Sequence, residues 1–110
     1  MALKRFVATV STANTEETIH ISSTSPYGVE SGYELAVVAT RLSGGTNGGD
    51  LYLRLYRSNT KVSEVKFSLA ANDVVMIDSK DFYEAGDVLK IEGSAAGLSV
   101  ELSADYSATA

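Results

Sequence analysis

Few side chains in this sequence could do chemistry, and their spacing narrows the possibilities quickly. The one histidine, His20, lies between Ile19 and Ile21. In an extended segment it points away from both, toward solvent or a subunit neighbour. A catalytic imidazole needs a nucleophile and an orienting carboxylate beside it. Serines are plentiful, but there is no Gly-x-Ser-x-Gly elbow, so His20 reads as a surface residue. The absence of cysteine excludes a thiolate zinc site, a cysteine nucleophile and a disulfide scaffold. A single histidine leaves no multi-histidine metal site.

Asp78, Asp81, Glu84 and Asp87 recur every third residue. Clustered oxygen ligands suit calcium. The spacing is not that of an EF-hand, however, and Gly86 stands where a turn into the next strand needs it. Solvated turn acids are the better reading. The run Ser43-Gly44-Gly45-Thr46-Asn47-Gly48-Gly49-Asp50 lacks the lysine and Ser/Thr of a Walker loop, and no helix follows it. It reads as a mobile hairpin tip, with Asn47-Gly48 a candidate deamidation site. No enzyme activity and no cofactor are expected.

The remaining constellation is Tyr52, Arg54 and Tyr56, three alternate residues on one strand face. Tyrosine and arginine offer large contact area with a polar handle and are enriched at interfaces. The row is therefore a candidate interface. In the competing reading the tyrosines face the second sheet, or cap it, and Arg54 is solvated.

These residues must be carried by strands, because period-two alternation dominates the chain. Leu51, Leu53 and Leu55 alternate with that row. Val65, Phe67 and Leu69 alternate with Lys66 and Ser68. Leu98, Val100, Leu102, Ala104 and Tyr106 alternate with polar residues. Each pattern buries one face of a strand and wets the other. No apolar helical stripe of useful length exists, so no long helix is predicted. A short turn of helix is possible around residues 79–85. Turn signals separate about eight strands: 3–10, 18–23, 33–42, 50–57, 61–69, 74–78, 87–92 and 98–106. The expectation is one all-β domain over 1–110, an antiparallel sandwich of jelly-roll type. Its ends, 1–3 and 107–110, are expected to be short flexible arms.

The chain has 110 residues, 45% of them hydrophobic and 21% charged, enough for one modest core. The net charge of −5 argues against nucleic acid as the main partner and against a polybasic membrane anchor. Residues 1–66 hold seven Lys/Arg against six Asp/Glu, and residues 67–110 hold two against eight. The acidic last third is either a set of acidic turns or a face offered to a basic partner. No apolar run approaches the roughly 20 residues that span a bilayer. The first residues turn polar too soon for a secretory signal, and Ala2 excludes N-myristoylation. A soluble chain made in the cytoplasm is expected.

From Val65-Lys66-Phe67-Ser68-Leu69 through Ile91-Glu92-Gly93-Ser94-Ala95-Ala96-Gly97 to Leu102, about 40 of the 110 residues, the chain resembles small all-β virion proteins of tailed bacteriophages. Turns like Ala85-Gly86-Asp87 and Ser94-Ala95-Ala96-Gly97 carry the likeness. The nearest in size and style are the capsid decoration proteins, also called cement or staple proteins, of epsilon15-like short-tailed phages. The resemblance implies a jelly-roll-like fold on the capsid exterior. It implies binding to the major capsid protein, clamping of neighbouring subunits, and self-association as a dimer or trimer. The first residues, with Lys4, Arg5 and Phe6, would then be an arm reaching an adjacent subunit, the two cations meeting capsid acids. Two other readings remain open: a tail, head-closure or receptor-contact part of a virion, and a carbohydrate- or protein-binding module using Tyr52 and Tyr56.

Overall fold

Residues 49–57 set the pattern for the molecule. The computed structural model describes residues 3–78 and 80–109. In it Leu51, Leu53 and Leu55 turn toward the core, while Tyr52, Arg54 and Tyr56 form the opposite face. Nine strands follow in order: β1 Leu3–Thr9, β2 Glu17–Thr18, β3 Tyr33–Ser43, β4 Gly49–Arg57, β5 Thr60–Leu69, β6 Val74–Ile77, β7 Asp81–Glu84, β8 Asp87–Gly93 and β9 Ser99–Ala108. Among the described residues there is no helix.

The pairing is nested. β4 pairs with β5, β3 with β6 and β7, β2 with β8, and β1 with β9, all antiparallel. Because β6 and β7 line successive stretches of β3, they act as one interrupted strand. The chain is thus a single long antiparallel ribbon, rolled until β9 also meets β3 and β8 also meets β4. Rolling gives two sheets, β1-β9-β3-β6/β7 and β2-β8-β4-β5. This is the jelly-roll order, and it agrees with the sandwich expected from the alternation. Leu35, Val37, Leu42, Val100 and Leu102 from the first sheet join Leu51, Leu89 and Ile91 from the second in one buried cluster. Each such side chain contributes about 1.5–3 kcal/mol by leaving water.

Several expectations need correction. Residues 81–84 form a strand, not part of a helical turn, because Tyr83 turns into the core while Phe82 points out. The strand expected at 18–23 is only Glu17–Thr18. Ile21 leaves the ladder because its N–H bonds Tyr27 O, at 2.8 Å, within the following loop. The ends are not free arms where they are described. Leu3 pairs with Asp105, Ser107 and Ala108 pair with Glu34 and Tyr33, and Thr109 N–H bonds Gly32 O. Met1, Ala2 and Ala110 lie outside the described residues. Nor is the glycine run a free tip. Gly44 N–H bonds Asp73 O at 2.9 Å, and Gly45 O accepts from Asn72 N–H at 2.7 Å, so the run is pinned to the β5–β6 turn.

Candidate functional site

Sheet order puts the outer face of β4 between β5 and β8, so Arg54 has charged neighbours on both sides. Its Nε donates to Glu64 Oε1 at 2.7 Å, and its Nη1 donates to Glu16 Oε2 and Glu92 Oε1, both at 2.9 Å. The Tyr56 hydroxyl donates to Glu16 Oε2 at 2.8 Å. Lys90 Nζ lies 4.6 Å from the Tyr56 ring centroid and 3.7 Å from Glu16 Oε1. The Arg54 guanidinium sits 5.1 Å from the Tyr52 ring centroid. Lys61 reaches Glu64 at 3.1 Å. Sequence reasoning thus placed Tyr52, Arg54 and Tyr56 together correctly. The competing reading fails for Arg54: its side chain is only 14% exposed, so it is not solvated, and its donors serve three glutamates.

Arg54 is the brace of this face, and the tyrosine rings are what the face offers outward. Three carboxylates around one cation keep the Arg54 guanidinium protonated even more firmly than usual, through its bonds to Glu92 and Glu64. Burial alone would raise the Glu16 carboxyl, but the bonds from Tyr56 and Arg54 outweigh it and leave the group lowered. Glu64 is lowered by the bonds from Arg54 and Lys61. Held in this way, the side chains have little rotamer freedom left to lose.

A second ion pair locks the end of the face. Arg57 Nε and Nη2 donate to the two carboxylate oxygens of buried Asp87 at 2.8 and 2.9 Å, and Asp87 also accepts from Glu84 N–H at 3.1 Å. Burial would raise the Asp87 carboxyl, but these bonds hold it below the ordinary range. Asp87 is therefore not a solvated turn acid but part of an arginine clamp, and Glu84 Oε1 lies 3.5 Å from the same Arg57. Among the described residues, no group of three or more acids and histidines could hold a metal ion. His20 is exposed, as expected, with its ring stacked 4.1 Å from that of Tyr27.

The lowered carboxylates set the acid side of the stability curve. Glu16, Glu64 and Asp87 bind fewer protons in the folded chain than in the unfolded chain around their ordinary titration range. Their contribution is complete above about pH 5 and is lost as pH falls through the folded values, below about pH 4. Thermal melts from pH 7 to pH 2.5 should be nearly flat to pH 5 and then fall. A midpoint still rising at pH 3 would contradict this assignment.

Lys4, Arg5 and Phe6 lie elsewhere, in β1 at the edge of the other sheet, and are not brought near the Tyr52–Tyr56 row. They are not a free arm. Lys4 Nζ is 5.8 Å from the Tyr106 ring centroid, Phe6 meets the same ring edge-on at 6.1 Å, and Arg5 Nε is 3.7 Å from Glu101. The strand pairing of β1 with β9 fixes them.

Sequence reasoning missed the partners Glu16, Glu64 and Glu92. For Glu64 a signal existed. A two-residue turn at Ser58-Asn59 would set Ser63 opposite Arg54 and drive Glu64 and Lys66 inward. Burying Phe67 and Leu69 instead requires one extra residue in β5. The register does shift there, between Leu55 and Tyr56, and Glu64 comes opposite Arg54. Also missed was a set of exposed apolar residues on the outer face of the first sheet: Leu3, Val7, Val74, Met76 and Phe82, each more than half exposed. No protein-family model matches the chain, and no curated protein sequence matches it significantly.

Proposed function

We propose that this chain is a structural protein of a tailed-phage virion. It binds the outer surface of the head shell and clamps neighbouring major capsid subunits. The observation that carries the reading is the braced face of β4. Tyr52 and Tyr56 are presented by a hydrogen-bonded network centred on Arg54, and Tyr56 and Lys90 border a cleft of about 430 Å³ that Pro26, Asn59 and Val88 also line. A preorganised face that carries tyrosines suits a protein partner. The turn-level likeness of residues 65–102 to capsid decoration proteins supplies the choice of partner. The clamp works by added interface. Internal pressure strains contacts between shell subunits, and a bridging protein adds contacts that must also break, multiplied over many symmetric copies.

The test is the number of copies of this chain per major capsid protein in purified particles. A ratio near one, or a simple fraction, supports decoration of the shell. A handful of copies moves the protein to the tail or head closure. Absence from the particle removes the virion reading and leaves a binding module, for which a glycan array is the next assay. On shells, Tyr52→Ala with Tyr56→Ala should weaken binding about tenfold or more, if the tyrosines are the contact. Unchanged occupancy would move the contact to another face.

A further inference from the structure

The sheet β1-β9-β3-β6/β7 ends in two edges that no strand covers among the described residues. An uncovered edge is a template for another strand unless it is short, bulged or blocked by charge. β1 runs seven residues with no bulge, proline or glycine. Following the register across the sheet shows what each edge offers. The row from Leu3 passes through Asp105 and Ala36 to Phe82. The row from Val7 passes through Glu101 and Arg41 to Met76. The row from Lys4 passes through Ala104 and Val37 to Asp81. An exposed apolar residue on one edge thus stands level with an exposed apolar residue on the other, twice over, and a cation stands level with an acid. Leu3, Val7, Met76 and Phe82 are between 57% and 63% exposed.

We propose that copies of this chain associate head to tail, β1 of one copy adding antiparallel to β7 and β6 of the next. Strand parity permits it. The sheet is four strands wide and antiparallel throughout, so a copy shifted sideways without turning over presents β1 antiparallel to β7, with both outer faces on the same side. In the unshifted register Leu3 lies beside Phe82 and Val7 beside Met76, which removes from water the apolar side chains that each edge leaves exposed. Lys4 lies beside Asp81. The incoming strand also roofs a cleft of about 310 Å³ that opens between the sheets at this edge, lined by Leu53, Leu55, Val65, Phe67, Ile77 and Tyr83 among others. The Tyr83 hydroxyl at this cleft is already pushed up to about 12 by burial, with Asp81 and Asp87 adding to it. Two-fold pairing is the poorer arrangement. β1 against β1 would gather two copies of Lys4 and Arg5, and β7 against β7 would gather two copies of Asp81 and Glu84. Because the two edges differ, the contact does not end at a dimer. It closes into a ring or continues as a filament.

The association belongs to the free chain, so it can fail while shell binding stands, and shell binding can fail while it stands. The test is sedimentation velocity of the purified chain over a concentration series at low and moderate salt. The expected result is mass growing beyond a dimer with concentration, and less so as salt rises. Lys4→Glu alone and Asp81→Lys alone should each weaken association about tenfold, and the double variant should recover most of it. Both side chains lie at the surface, and unchanged thermal melts would show that the variants fold. A monomer at every concentration overturns the proposal. So does a mass that stops at two, or a double variant no better than the singles.

Discussion

Alanine at Gly44 should cost the fold about 3 kcal/mol, a large effect for one methyl group on a loop. The residue needs no special backbone angle. It needs the space, because a Cβ there would fall inside the van der Waals shell of Ala70 O and within 3.4 Å of Leu69 Cβ. The backbone cannot retreat cheaply. Gly44 N–H is bonded to Asp73 O and Gly44 O to Gly48 N–H, both at 2.9 Å. Relief of the clash breaks at least one of these bonds, at about 1 kcal/mol each, and opens the seam between the glycine run and the β5–β6 turn. Gly97 is the control. Its φ of +95° strains any side chain, but nothing lies within 4 Å of its Cβ position, so alanine there should cost only about 1 kcal/mol. Urea unfolding of both variants checks the contrast. Equal losses would mean that backbone conformation, not close approach, governs this part of the molecule.

Removing the Arg54 guanidinium should lower stability at neutral pH by about 2–3 kcal/mol, roughly 10 °C in the melting midpoint. Arg54→Met keeps much of the stem and its packing while deleting the charge. Glu16, Glu64 and Glu92 then converge with only Lys90 and Lys61 to balance them. The pH dependence separates this cause from lost packing. In the parent chain Glu16 and Glu64 are lowered, so their contribution is present above the ordinary carboxylate range and disappears below it. Without Arg54 the crowded carboxylates hold protons more readily, and acid relieves them. The difference between parent and variant should therefore be largest near pH 7 and shrink toward about pH 3. Arg54→Lys should recover only part of the loss, since an ammonium cannot spread its donors over three carboxylates as a guanidinium does. A loss of equal size at both pH values would show that the stem's packing, not the charge, had mattered.

What was legible in the sequence was the side-chain period. Leu51, Leu53 and Leu55 against Tyr52, Arg54 and Tyr56 fixed which side of β4 is dry, because a strand offers its faces only by alternation. The same logic in residues 98–106 gave β9. With turns at 44–50, 58–60 and 94–97 it made a sandwich the natural outcome. Alternation fails where the strand is irregular. In β3, Leu35 and Val37 face the core and so do Thr40 and Leu42, a change of phase made by the register shift between Val37 and Ala39. No local pattern contains that shift, because the two halves of β3 meet different partners, β7 and β6. β7 itself is four residues long, too short for a period to declare itself.

The site divides in the same way. The tyrosine–arginine row was visible because its members sit two apart on one strand. Its glutamates were not, because Glu16, Glu64 and Glu92 come from three separate segments that touch only after the ribbon rolls up. Charge complementarity between sheet edges is further still from the sequence. Lys4 and Asp81 stand level because three successive pairings carry one row across the sheet. Local chemistry set the strands and their dry faces. Long-range pairing alone decided which polar groups meet and which strands lie at the sheet edges among the described residues.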